Sequence, residues 1–133
     1  MNRILWTMLT GATLFLAQAL ADAPLKTALG LSMDQARQVD EIQKLHRPKF
    51  AAKRGEYNTE MRRLRRARIA NDSKQVAELE KVTAALHEQL RQIRVSEDEE
   101  IRRVLTPDQL RKFEDYIKLR KEMVGSSRDD HDL

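Results

Sequence analysis

Apolar residues recur every three or four positions along most of this chain, which is the spacing of one face of an α-helix. The first such stretch contains Met33, Ala36, Val39, Ile42 and Leu45. Alternating β-branched or aromatic residues, which would indicate strands, are missing from the sequence. After residue 24 the chain has three glycines and two prolines, so few signals would end a helix. The sequence therefore predicts an all-α fold.

A short motif occurs twice and marks predicted helix starts. Each copy has a leucine, a hydroxyl residue and, three positions later, a glutamine. The hydroxyl can cap free backbone N–H groups while the glutamine reaches back to the cap, which forms a capping box. Both copies are therefore interpreted as structural rather than ligand-binding. The motif residues are Leu31, Ser32, Gln35, Leu105, Thr106 and Gln109.

Two long helices are predicted between the motifs. The first ends near Ala70, the turn lies at residues 71–73, and the second helix runs to the second motif. Pro48 removes an N–H and clashes with the preceding turn, so a kink or break is expected at residues 44–48. The predicted architecture is a bent long helical hairpin with short flanking helices. Its apolar side chains are too few for a thick core, so a second copy is expected to complete it.

The N-terminus resembles a secretory leader. Arg3 precedes an apolar run, and Ala19-Leu20-Ala21 fits the small-x-small cleavage rule. We expect a signal peptide at residues 1–21 and a periplasmic mature chain, with an uncleaved anchor as the open alternative. The absence of cysteine suits a compartment where thiols oxidise. The remaining chain divides into a helical domain, 22–124, and a C-terminal tail, 125–133, that is predicted to be disordered with Gly125 ending the last helix.

Basic residues concentrate on the first long helix. Between Lys44 and Arg68 there are ten basic residues and two acids. The lower part, residues 44–49, is expected to pair with the acidic run 97–100, while the arginines near the turn stay unneutralised. Arginine heads between apolar side chains suit an unfolded polypeptide or an anionic membrane, and secretion argues against nucleic acid. The predicted client-binding residues are Arg47, Lys49, Phe50, Arg54, Tyr57, Met61, Arg62, Arg65 and Arg66.

Metal binding and catalysis have little support in the sequence. The three histidines show no i, i+4 pairing, which would place two ligands on one helix face. His46 and His87 remain candidates only for a metal site shared between two copies. Neither a marked nucleophile, a carboxylate pair in a cleft nor a glycine-rich phosphate loop is recognisable. We therefore predict no cofactor, no resident metal and no enzymatic activity.

The two motifs, the leader and the hairpin between the motifs together resemble the Spy/CpxP family of periplasmic LTxxQ-motif proteins. The resemblance covers residues 29–124. It implies a cradle-like antiparallel homodimer that acts as an ATP-independent chaperone, binding unfolded or misfolded periplasmic proteins on a basic, partly apolar concave surface.

The same resemblance implies an alternative, a periplasmic stress or heavy-metal sensor or accessory protein. Such a protein would regulate a two-component or metal-resistance system and would bind a sensor-kinase periplasmic domain. Nickel and cobalt sensors of this kind carry a His and a Met four residues apart before the second motif. Those positions are Glu97 and Ile101 here, which favours the chaperone.

Overall fold

The structure is a computed structural model that describes the backbone of residues 25–129 and the side chains of residues 25–123. Within this range the chain is helical and contains no strand, which confirms the all-α prediction. The predicted signal peptide, 1–21, lies outside the described residues. The helices are α1 Leu25–Leu29, α2 Met33–Ile69, α3 Ser73–Arg102 and α4 Pro107–Asp129.

The chain forms two compact units, of which one, Met33–Val104, contains α2 and α3. These two helices run antiparallel and pack along their length, because residues nearer the start of α2 contact residues nearer the end of α3. Arg68 bonds Glu80, the Tyr57 ring meets His87, and His46 meets Glu100. The predicted bend, cradle and second copy stay predictions. The buried residues of this unit are Val39, His46, Leu64, Ala67, Leu79, Thr83, Leu86, Leu90, Asp98 and Ile101.

Of the kink or break predicted near residues 44–48, the break is wrong, and the kink stays a prediction. The α2 helix has 37 residues and runs through Pro48 without interruption. Pro48 is exposed. The carbonyl one turn back, which loses its N–H donor, can therefore bond water, and packing against α3 outweighs the local cost of the proline.

The turn between α2 and α3 lies where the cap residues predicted it. Asn71 adopts a left-handed φ of 53°, which asparagine tolerates better than most residues. The backbone N–H of Asp72 bonds the Ala67 carbonyl at 3.1 Å and closes the end of α2. The Asp72 carboxylate then accepts the Gln75 N–H at 3.0 Å, so Asp72 is the N-cap of α3.

The second motif forms the predicted capping box. The Thr106 N–H donates to the Gln109 side-chain oxygen at 3.0 Å, and the Gln109 N–H donates to the Thr106 hydroxyl at 3.4 Å. Pro107 is the first residue of α4, where its missing N–H costs nothing. The first motif also stands at a helix start, because α2 begins directly after Ser32.

The motif glutamines do more than cap. The Gln35 amide nitrogen donates to the Val104 carbonyl at 2.9 Å, inside the unit of α2 and α3. The Gln109 amide nitrogen donates to the Gly30 carbonyl at 3.2 Å, inside the other unit. Val104 and Gly30 each directly precede the leucine that opens a motif copy. Each glutamine thus bonds the backbone just before the other copy, a reciprocity that the sequence does not reveal.

The other unit contains α1 and α4. Its core consists of Leu29, Phe113 and Ile117, all buried. Gly30 closes α1 with a left-handed φ of 61°, and the Leu31 N–H reaches back to the Lys26 carbonyl.

The α4 helix continues past Gly125 to Asp129. The predicted stop at Gly125 is therefore wrong, while the predicted disorder of the tail, 125–133, stays a prediction. A glycine inside a helix costs about 1 kcal/mol, which weakens the helix without ending it. The last four residues of the predicted tail lie outside the described residues.

Candidate functional site

One long edge of the α2 and α3 pair carries arginine and aromatic side chains side by side. The α2 members follow one another at intervals of three, four, three and four residues, so they share one stripe of the helix. We call this surface the basic edge. It consists of Arg47, Phe50, Arg54, Tyr57 and Met61 from α2 with His87 and Arg94 from α3.

The aromatic rings of the basic edge are held against α3. The Arg94 guanidinium lies 4.1 Å from the centroid of the Phe50 ring, a cation–π contact. The Tyr57 and His87 ring centroids are 6.2 Å apart with the planes tilted by 51°. Met61 packs on the small core of Leu64, Ala67 and Leu79 beside the turn. Each ring therefore has one fixed face and a partly exposed remainder.

The two arginines that α2 contributes to the basic edge are more open than the other α2 side chains of the edge. Arg47 and Arg54 are exposed, while Phe50, Tyr57 and Met61 are half-buried. Arg47 donates to the Gln43 side chain at 2.9 Å and has no acidic partner among the described residues. The edge therefore offers charged heads above a shallow apolar strip, in place of a deep pocket.

A second basic surface lies on the outer side of α2, next to the turn. Arg62, Arg65, Arg66 and Ile69 are spaced as i, i+3, i+4 and i+7, so they share one face. Arg62 and Arg66 each lie two positions from buried Leu64, about 200° around the helix. We call these four residues the tip face.

The nine predicted client-binding residues thus divide among three sides of α2. Five belong to the basic edge and three to the tip face, of which Arg65, four residues after Met61, borders the edge. Lys49 lies one position before Phe50, about 100° around the helix, on the opposite flank. Sequence reasoning named His87 only as a metal candidate and missed Arg94; the packing of α3 brings both to the edge. It also missed Ile69, although its helical spacing from Arg62 was available.

The charge pairing differs from the prediction for the lower basic group. Among the described residues, Lys44, Arg47 and Lys49 form no ion pair with the acidic run 97–100. Instead His46 meets the last acid of that run, with Nε2 3.0 Å from the Glu100 carboxylate. Long lysine and arginine side chains stay in water at little cost, whereas the buried His46 ring needs a polar partner.

Near the turn, two arginines are neutralised and three are not. Arg63 bonds Glu60 at 3.0 Å and Arg68 bonds Glu80 at 3.0 Å. Arg62 donates to the Thr59 hydroxyl at 3.1 Å. For Arg62, Arg65 and Arg66, the described part of the chain supplies no acidic partner. This agrees with the expected surplus of charge at the turn.

The two candidate metal ligands occupy different environments. His46 is 6% exposed and bonded to Glu100, whereas His87 is exposed beside Tyr57. Within residues 25–123 no three or more His, Asp or Glu side chains are grouped so that they could hold a metal ion. Neither histidine therefore belongs to a ligand set within the described chain.

The opposite edge of the α2 and α3 pair contains an open groove of about 570 Å³. Its two carboxylates are already engaged, since Glu56 bonds Lys53 at 2.9 Å and Glu60 bonds Arg63. The sequence analysis did not single out this groove. It is lined by Gly55, Glu56, Thr59, Glu60, Val82, Ala85, Leu86 and Gln89.

One exposed carboxylate of α3 has a strongly perturbed titration. Hydrogen bonds from Arg91 and Gln92 lower the pKa of the Glu88 carboxyl to about 2. The same pairing raises the pKa of Arg91. Glu88 and Arg91 are neighbours on one helix face, so this pair stabilises α3 locally and belongs to neither basic surface.

None of the helices described is both long enough and apolar enough to cross a membrane. Comparison with known proteins returned no matching family model, curated protein or solved structure.

Proposed function

We propose that this protein is a periplasmic, ATP-independent chaperone that binds unfolded or stress-damaged envelope proteins along the basic edge. The observation that carries the proposal is the alternation of exposed arginines with half-buried rings on one stripe of the α2 and α3 pair. This chemistry is suited to polypeptide whose sequence varies from client to client.

The exposed arginines of the edge supply the polar half of client binding. A guanidinium binds carboxylates through a planar fork and stacks on aromatic rings. Arg47 and Arg54 lie seven residues apart on α2, about 10 Å at the helical rise. An extended client crosses that distance in about three residues, so it can reach both heads.

The half-buried rings supply the apolar half. Phe50 and Tyr57 each keep one face against α3, so a client buries only the remaining area. Contacts of this kind are weak one at a time, and the charged ones are screened by salt. Weak and reversible capture suits a compartment without ATP, because no energy source is then needed to release the client.

A second copy of the chain completes the proposed surface as a cradle-like antiparallel homodimer. Met33 and Leu45 on α2 are 86% and 63% exposed, which leaves apolar area for a partner to cover. The resemblance to the Spy/CpxP family favours the same assembly, and the leader predicted at residues 1–21 favours the periplasm.

The test is light scattering of an aggregating model client with the purified protein at low salt. We expect suppression at one dimer per client and its loss as salt rises. A triple variant of the edge, Arg47→Gln, Arg54→Gln and Tyr57→Ser, should require several-fold more protein, since each exposed contact contributes roughly 0.2–1 kcal/mol.

The matched control removes cations elsewhere. Lys112 and Lys118 are exposed on α4, outside the basic edge. Their replacement by glutamine should leave suppression unchanged. No suppression by the unmodified protein, or equal loss in the edge and control variants with helicity retained, would refute the proposal.

A further inference from the structure

The tip face has a composition that chaperone activity along the basic edge does not require. Spacing of i, i+3, i+4 and i+7 normally marks the buried side of a helix. Here the same spacing holds three exposed arginines and an isoleucine that is 82% exposed. An isoleucine this open, among cations without acidic partners in the described chain, indicates a surface that binds something apolar and anionic.

The neighbours of the tip face leave its positive charge in place. The two other arginines near the turn, Arg63 and Arg68, already pair with glutamates and add no net charge. Lys74 and Asp72 carry opposite charges and offset one another. The three arginines of the tip face therefore remain as a surplus of positive charge at the end of α2.

We infer that the tip face docks the protein on an anionic phospholipid surface. The three guanidinium groups bind lipid phosphates, while Ile69 enters the boundary between headgroups and acyl chains. The site lies on the outer side of α2, where the helix ends and the chain turns back, and its three cations beside one exposed apolar side chain match the phosphates and acyl chains of a lipid surface. Docking here does not rest on the proposed chaperone function.

The test is co-sedimentation of the purified protein with vesicles. Phosphatidylcholine vesicles measure any binding through apolar segments elsewhere in the chain, and mixed phosphatidylglycerol–phosphatidylcholine vesicles add the negative charge. We expect binding that requires phosphatidylglycerol and weakens with salt. Each basic residue near an anionic membrane contributes about fivefold in partitioning, so Arg62→Gln, Arg65→Gln and Arg66→Gln together should reduce it on the order of a hundredfold.

The apolar part is tested separately with Ile69→Ser. Because the side chain is 82% exposed, its loss should not disturb folding. Removing an inserted isoleucine should lower vesicle partitioning by about tenfold. The charge-matched control replaces Lys112, Lys118 and Lys121 of α4 by glutamine and should keep vesicle binding. Circular dichroism confirms helicity in each variant.

Two outcomes would overturn the inference. One is equal vesicle binding by the unmodified protein and the arginine variant, or equal loss in the control. The other is displacement of the protein from vesicles by soluble polyglutamate at a matched concentration of negative charge, together with unchanged vesicle binding by Ile69→Ser. That result would make the tip face a general polyanion site. The edge variant Arg47→Gln, Arg54→Gln and Tyr57→Ser should still bind vesicles, so failure of this inference and failure of the proposed function are distinguishable.

Discussion

The rotation of α2 about its own axis decides which side chains face α3 and which form the tip face. Two residues on the same turn of α2, Leu64 and Arg66, test that rotation directly. Leu64 is 2% exposed and packs with Ala67 and Leu79, while Met61 and Val76 border the cluster. Two positions further along, Arg66 is exposed to water. Truncating each type of residue to alanine should therefore give very different results.

The expected magnitudes follow from burial. Replacing a buried leucine by alanine costs about 2–5 kcal/mol, through lost transfer energy and the cavity left behind. The Leu64 cluster is small and lies beside the turn, so partial collapse should hold the cost of Leu64→Ala to about 2–3 kcal/mol. Arg66 is exposed, and Arg66→Ala should change stability by less than about 0.5 kcal/mol.

Urea denaturation followed by far-ultraviolet circular dichroism measures both variants. We expect the Leu64→Ala midpoint to fall with the slope of the transition unchanged, because the surface exposed on unfolding stays nearly the same. A cost below about 1 kcal/mol for Leu64→Ala, or an equal cost for Arg66→Ala, would contradict the packing of α2. The basic edge and the tip face would then both be assigned to the wrong sides of the helix.

Three further predictions concern helix ends and carboxylates. Thr106→Ala removes the cap of α4 and should cost about 1 kcal/mol by urea denaturation, with Thr106→Ser restoring most of the loss. Glu100→Ala removes the acceptor of buried His46 and should cost about 1 kcal/mol; an equal effect at the exposed glutamate just before it would contradict the role of this bond. Because the pKa of Glu88 is lowered from 4.5 to about 2, its stabilisation of α3 is present above pH 4.5 and is lost as pH falls toward 2. Carboxyl NMR titration should show this low midpoint, and Arg91→Ala should return it toward 4.5; an unchanged midpoint would mean that Arg91 is not the cause.

Local chemistry in the sequence was enough to predict the fold class and most helix boundaries. The turn at residues 71–73 and the start of α4 at Pro107 follow from cap residues, whose hydrogen bonds reach only three positions along the chain. The two wrong boundaries, at Pro48 and Gly125, also came from local rules. An interior proline weakens a helix by about 3 kcal/mol and a glycine by about 1 kcal/mol, and packing over many residues outweighs these costs.

It was harder to predict which residues of α3 contact α2. His87 and Arg94 reach the basic edge because α3 lies antiparallel to α2, and the bond of His46 to Glu100 depends on which of several acids comes within 3.0 Å. Opposite charges at matching heights on the two helices were not enough to predict ion pairs, because exposed lysine and arginine heads lose little free energy by staying hydrated.

The sequence by itself determined that this chain is helical, where its motifs start helices, and that positive charge accumulates along α2. Only the tertiary structure decided how that charge is divided. One contiguous stretch, residues 47–69, supplies a basic edge beside α3 and a tip face on the outer side of α2. The physical reason is that helical periodicity spreads neighbouring residues around the axis, and packing against α3 selects which of those directions is buried.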